Sequence, residues 1–190
     1  MENKEEEKKY ILGLDISSSC IGYSIMDEDG KLIELNCVKF ADKLSLFDKL
    51  REFKKNTKHI KEMPIKYIAI EEPLKKFMGK FSSATTIALL NFFNGMISSH
   101  LFIEFGIEPV YFNVNNARAT AFPGLKVEKD GKTIKHVVWE RVMQLEPKIE
   151  WKYGPKSRKL LDENYDMSDS YVVTLAFLIN LDKQKTTTVQ

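Results

Sequence analysis

The chain has 190 residues, 43% of them hydrophobic, which is enough to bury one core of ordinary domain size and excludes wholesale disorder. Its 29 Lys and Arg against 27 Asp and Glu leave a net charge of +2, so it is no uniformly basic coat, and a polyanion must be met by charge gathered on one face. The two cysteines, Cys20 and Cys37, form no CxxC pair and suit a reducing, cytoplasmic setting; no apolar run approaching ~18 residues is read, so no membrane span is expected.

Residues 1–9 are charged and lack the apolar segment of a signal peptide, so a disordered tail is expected there. A single domain over 10–182 follows, then a flexible C-terminal tail over 183–190. Tyr10–Asp15 and Cys20–Met26 are short apolar runs of strand formers. Asp27-Glu28-Asp29-Gly30 supplies turn chemistry before a third run, Lys31–Phe40, whose imperfect alternation suits a strand near a sheet edge. Three strands on short turns imply an antiparallel meander. Leu44, Phe47, Leu50 and Phe53 recur every third residue and predict an amphipathic helix.

Ile65–Ile70 reads as a buried strand that stops at Glu71-Glu72-Pro73. Ser82-Ser83 suits the cap of a long helix ending near Phe105, with Gly106 as its stop. Glu108–Val114 is a further strand, and Asn115-Asn116 suits the cap of a short helix broken at Pro123-Gly124. A helix from Ile134 to Leu145 is closed by Pro147, and the last helix runs from Asp166 to Leu178, with Asp166 suited to its N-cap. The order β-β-β-α-β-α-β-α-α predicts an α/β fold: a mixed five-stranded sheet, three strands antiparallel and the rest parallel, with helices on both faces.

Three placements of acid need a reason. Asp15 ends the first strand, Glu71 ends the fourth, and Asp166 and Asp169 project from one face of the last helix. Turn, strand-end and helix-cap roles explain each one singly. If the first and fourth strands are adjacent, however, Asp15 and Glu71 emerge side by side and the helix can set its pair across from them. Four carboxylates so placed repel one another unless a polyvalent cation compensates. An all-oxygen site favours Mg²⁺ or Mn²⁺ over zinc, and His59, His100 and His136 have no metal-ligand spacing.

The segments ILGLDISSSCIGYSI, YIAIEEPL with KFSSATTIALLNFFNGMI, and YDMSDSYVVTLAF resemble, in order and spacing, the RuvC-type Holliday junction resolvases of the RNase H-like superfamily. The resemblance runs from about Tyr10 to Asn180. It implies a metal-dependent endonuclease of DNA recombination and repair, of bacterial or viral type, that cuts four-way junctions as a homodimer. It also implies that Asp15, Glu71, Asp166 and Asp169 ligate two Mg²⁺ ions, which Mn²⁺ can replace, for hydrolysis of a phosphodiester. Glu72 competes with Glu71 for the strand-end role. Glu71 is preferred because it directly follows Ile68-Ala69-Ile70.

Between Glu71 and the long helix, Lys75, Lys76, Phe77, Lys80 and Phe81 stand in a stretch with no acid. Lysines neutralise phosphates and an exposed Phe stacks on or wedges between unpaired bases; the competing reading packs either Phe back onto the helix. Lys135, at the start of a helix, is a catalytic candidate that could contact the scissile phosphate or offset charge in the transition state, and Arg118, in a turn, is a candidate for phosphate contact, with solvated structural roles equally open for both. Other branched DNA or RNA–DNA hybrids as substrate, and a junction-binding module without catalysis, stay open. A sugar-kinase-like ATPase, suggested by Gly13-Leu14-Asp15-Ile16-Ser17, needs two lobes, and 190 residues are too few.

Overall fold

The computed structural model describes residues 8–73, 83–126, 131–156 and 158–188. Five strands, β1 (Tyr10–Ile16), β2 (Cys20–Asp27), β3 (Leu32–Lys39), β4 (Ile65–Glu71) and β5 (Val110–Phe112), form one sheet in the order β3-β2-β1-β4-β5. β1, β2 and β3 pair antiparallel, while β4 runs parallel to β1 and β5 parallel to β4, which is the expected mixed sheet with β3 at one edge. Local chemistry sets the β2–β3 hairpin. Asp27 Oδ1 accepts the N–H groups of Asp29 at 3.1 Å and Lys31 at 2.8 Å, and Gly30 takes a φ of 83° that a side chain would resist.

Alternation along the strands divides the core into two layers. Leu12, Leu14 and Ile16 of β1 and Ile68 and Ile70 of β4 face α1 (Leu46–Asn56) and α2 (Ala84–Phe105). Met26, Leu35 and Ala69 face α3 (Val114–Ala121), α4 (Ile134–Leu145) and α5 (Glu163–Thr188). Helices thus cover both faces, as expected.

Several boundaries differ from the sequence reading. α1 starts after Leu44, capped by Ser45, whose side chain accepts the Asp48 N–H, and Phe47 is 59% exposed rather than in the core. A 3-10 turn over Lys58–Glu62 precedes β4, and β5 is shorter than the stretch Glu108–Val114. Asn113, not Asn115 or Asn116, caps α3: its Oδ1 accepts the N–H groups of both. Ser83 caps α2, and Gly106 ends it in the left-handed conformation at φ 68°.

α5 begins a turn before Asp166, which is therefore an interior helical residue, and it continues through Thr188, so residues 183–188 of the stretch expected as a flexible tail are helical. By length and overall composition α2 would suffice to cross a bilayer, although polar residues interrupt its apolar ones. Its Phe93, Ile97 and Leu101 nevertheless pack on the sheet, as a core-covering helix requires, while Leu89, Phe92, Phe102 and Ile103 stay exposed. Most of the N-terminal stretch expected as a tail lies outside the described residues.

Candidate functional site

The sheet order brings the candidate acids together. Leu14 of β1 pairs with Ile70 of β4, so Asp15 and Glu71 leave the C-terminal ends of parallel neighbours side by side, and strand alternation aims both at the α5 layer. Two glycines let α5 lie close against that layer. A Cβ on Gly13 would sit 1.7 Å from Thr174 Oγ1, and one on Gly22 would sit 2.1 Å from the Asp166 carbonyl oxygen. With α5 held there, ligand oxygens of Asp15, Glu71 and Asp169 lie within 4.8 Å of one another. Asp166 is one turn back, outside that triple, and its Oδ2 accepts from Ser17 Oγ at 3.2 Å. Glu72 is not part of that triple, and its backbone N–H donates to the Phe112 carbonyl at 2.8 Å.

Two cations enter from the helices on this face. Arg118 on α3 is buried and grips Asp169 with both edges of its fork: Nη2 donates to Oδ1 at 2.8 Å and to Oδ2 at 3.0 Å, and Nε to Oδ1 at 3.3 Å. Lys135 at the start of α4 is half-exposed, its Nζ 3.6 Å from Asp169 Oδ2. Lys135 thus stands beside the acids. Arg118 is turned inward onto a carboxylate rather than out toward a phosphate, because α3 packs on α5. Replacing Arg118 by Met should therefore cost about 3–5 kcal/mol of stability, by leaving the Asp169 side chain, 2% exposed, short of its main partner. Urea unfolding in EDTA measures this, and a change below about 1 kcal/mol would mean that the pair is immaterial.

Four carboxylates and two cations leave the pocket two negative charges in excess, and the titration of the acids reflects it. Burial, then Glu71, Asp169 and Asp166, hold Asp15 well above the usual carboxylate range. Burial, then Asp169, push Glu71 up to about 7 against the pull of Arg118 and Lys135. Burial raises Asp166 to about 6 although Lys135 and the Ser17 hydroxyl oppose it. Burial works against the Lys135 ammonium, but the four acids still hold it above its ordinary value. Glu71 Oε2 is buried with no hydrogen-bond partner among the described residues. An orphaned carboxylate oxygen in an all-oxygen cluster with a charge deficit of two fits a hard divalent cation.

Lys75, Lys76, Phe77, Lys80 and Phe81 lie outside the described residues. Ser17, Gly13 and Gly22 were not legible as parts of the site. The signal for the glycines was their place inside apolar strands, where a missing side chain marks the close approach of another backbone.

Among solved structures, the chain is similar to RuvC of Thermus thermophilus, with 12% identity over 92% of this chain and 96% of that one and a TM-score of 0.60. It is likewise similar to the same organism's RuvC in complex with a Holliday junction substrate, at 10% identity, the same coverage and a TM-score of 0.63. Fowlpox virus resolvase in complex with substrate Holliday junction DNA matches at 15% identity over 90% of this chain and 98% of that one, with a TM-score of 0.46. No protein-family model and no curated protein sequence matches. The chain has the RuvC-type, RNase H-like fold.

Proposed function

We propose that the protein is a divalent-metal-dependent endonuclease that resolves four-way DNA junctions as a homodimer. The observation that carries this reading is the convergence of Asp15, Glu71 and Asp169 from three separate elements at the strand ends of a RuvC-type sheet. Asp15, Glu71 and Asp169, with Asp166 beside them, would hold the ions, Mg²⁺ or Mn²⁺. When bound, such ions polarise a phosphodiester and activate the attacking water.

The chain's own residues do the rest. Arg118 fixes both oxygens of Asp169, so that carboxylate has one orientation before any ion arrives. Lys135, half-exposed at the pocket and held protonated by the acids, draws in the scissile phosphate and offsets charge that grows in the transition state. One divalent ion would balance the excess charge of these acids, and a second would be balanced in part by the phosphate of the substrate.

Lys75, Lys76, Phe77, Lys80 and Phe81 carry the proposed contact with the junction. The dimer contact is assigned to α2, whose exposed Leu89, Phe92, Phe102 and Ile103, with Phe47 of α1, form an apolar face. A Phe92→Glu, Ile103→Glu double variant should elute as a monomer in light-scattering chromatography while unfolding near the wild-type midpoint. A dimer of unchanged dissociation constant would move the interface elsewhere. Function is tested by incubating the protein with matched four-way, flap, linear and RNA–DNA hybrid substrates, with Mg²⁺ or with EDTA. Paired symmetric nicks in the four-way substrate alone are expected. Cleavage of hybrid or flap substrates instead would assign another nuclease activity, and binding without cleavage a non-catalytic module.

A further inference from the structure

A second cluster of reactive groups stands at the β2–β3 edge of the sheet. In that ladder Cys20 pairs with Lys39 and Gly22 with Cys37, so the two cysteines stand two rungs apart, diagonal to each other on the same face. Cys20 is buried and Cys37 is partly open to solvent. Lys152 Nζ lies 3.0 Å from Cys37 Sγ and 3.5 Å from Asn36 Oδ1.

The backbone of Lys152 is fixed from the core. Its N–H donates to Asn164 Oδ1 at 2.9 Å, and its carbonyl accepts from Asn164 Nδ2 at 2.7 Å, with Asn164 fully buried in the first turn of α5. Asn164 Nδ2 also donates to the Leu161 carbonyl at 2.9 Å, which ties the segment before α5 into the same clamp. The cation is therefore delivered to the sulfur by the fold.

Of the two thiols, Cys37 is the one beside the ammonium. A hydrogen bond from Cys20, and then Lys152, hold Cys37 down to about 6, although burial and Glu163 oppose the thiolate. Glu163 is engaged by Lys39, which blunts its repulsion of the thiolate. A partly exposed thiol against a fixed ammonium, with a buried thiol beside it, is the arrangement of an attacking and a resolving cysteine. No step of the proposed phosphodiester chemistry uses either sulfur.

We propose that Cys37 is a nucleophilic thiol that peroxides oxidise, and that Cys20 resolves the product to an intramolecular disulfide across β2 and β3. The Cys37 thiolate attacks one oxygen of hydrogen peroxide and the O–O bond breaks. The departing hydroxide takes a proton from solvent, and Cys37 becomes a sulfenic acid. Cys20 then attacks the sulfenic sulfur, the S–O bond breaks, and the hydroxide leaves as water with the Cys20 proton. Two thiols supply two electrons, the peroxide accepts them, and two waters form.

This inference does not rest on the nuclease reading, and its test uses no cleavage assay. Reduced full-length protein is treated with a small excess of hydrogen peroxide and examined by intact mass and a non-reduced digest. Loss of two hydrogens and a Cys20–Cys37 peptide pair are expected, and Cys20→Ser should instead trap a dimedone adduct on Cys37. Iodoacetamide should modify Cys37 of the wild type about tenfold faster at pH 7 than it modifies glutathione, and Lys152→Met should remove most of that advantage. Labelling of wild-type Cys37 no faster than glutathione, or peroxide treatment giving neither the disulfide nor the adduct, would overturn the proposal.

Discussion

Asp15→Asn should lower Mg²⁺-dependent junction cleavage by about a thousandfold, leave junction binding nearly intact, and make the metal-free protein more stable. The first effect follows from the loss of a charged ligand at a site asked to supply several kcal/mol to the transition state, with about 1.4 kcal/mol for each tenfold. The second follows because the lysines assigned to phosphate contact are untouched. The third is specific to this pocket: Asp15 is 8% exposed and its charge is opposed by burial and by Glu71, Asp169 and Asp166, so a neutral isostere removes repulsion.

Asp169→Asn should lose cleavage equally but move stability the other way. It strips Arg118 of its bidentate partner inside the core, a loss of about 3–5 kcal/mol. Acids with purely structural roles would show the stability changes without the loss of cleavage. An Asp15→Asn protein that nicks at the wild-type rate would remove Asp15 from the site.

The parts of this site that were legible in the sequence are those set by single strands. An apolar run that ends in an acid announces its own strand end, so Asp15 and Glu71 could be placed from ILGLD and IAIE, and their adjacency needed only that β1 and β4 be neighbours. What could not be read depends on how elements pack. The start of α5 was misplaced because Asp166 is a good capping residue, whereas the helix begins earlier, where Asn164 clamps Lys152 and Leu161 from a distance no local pattern encodes. Arg118 had the composition of a surface phosphate contact, and only the seating of α3 on α5 turns it inward. α2 is apolar on both sides, so periodicity could not say that Phe93 and Ile97 are buried while neighbouring Phe92 and Ile103 are exposed.

The charge excess of the pocket has a consequence for the intact fold. In EDTA, the acids at the site should make the protein lose stability as pH rises from about 4 to about 7. Glu71 moves from 4.5 up to about 7 on folding and Asp166 from 3.8 up to about 6. The native state therefore binds more protons than the unfolded chain across that window, and the slope of unfolding free energy against pH is negative. These groups cost nothing below their unfolded values, and their full penalty, on the order of a few kcal/mol, is reached once pH has passed the folded values.

Divalent ions remove the penalty, so stabilisation by Mg²⁺ should be small at pH 5 and grow through pH 8. At a hundredfold excess over the dissociation constant it should reach about 2.7 kcal/mol. Groups elsewhere pull the other way. His100, held below 6.5 by burial and then Lys54, and Glu104, held down by Lys61, both favour the fold as pH rises. For this reason the informative quantity is the difference between urea midpoints in Mg²⁺ and in EDTA at each pH, in which such groups cancel. A difference that does not change with pH would show that the acids ionise without strain and need no cation. A difference that grows with pH in the wild type and flattens in Asp15→Asn would locate the ion among Asp15, Glu71 and Asp169.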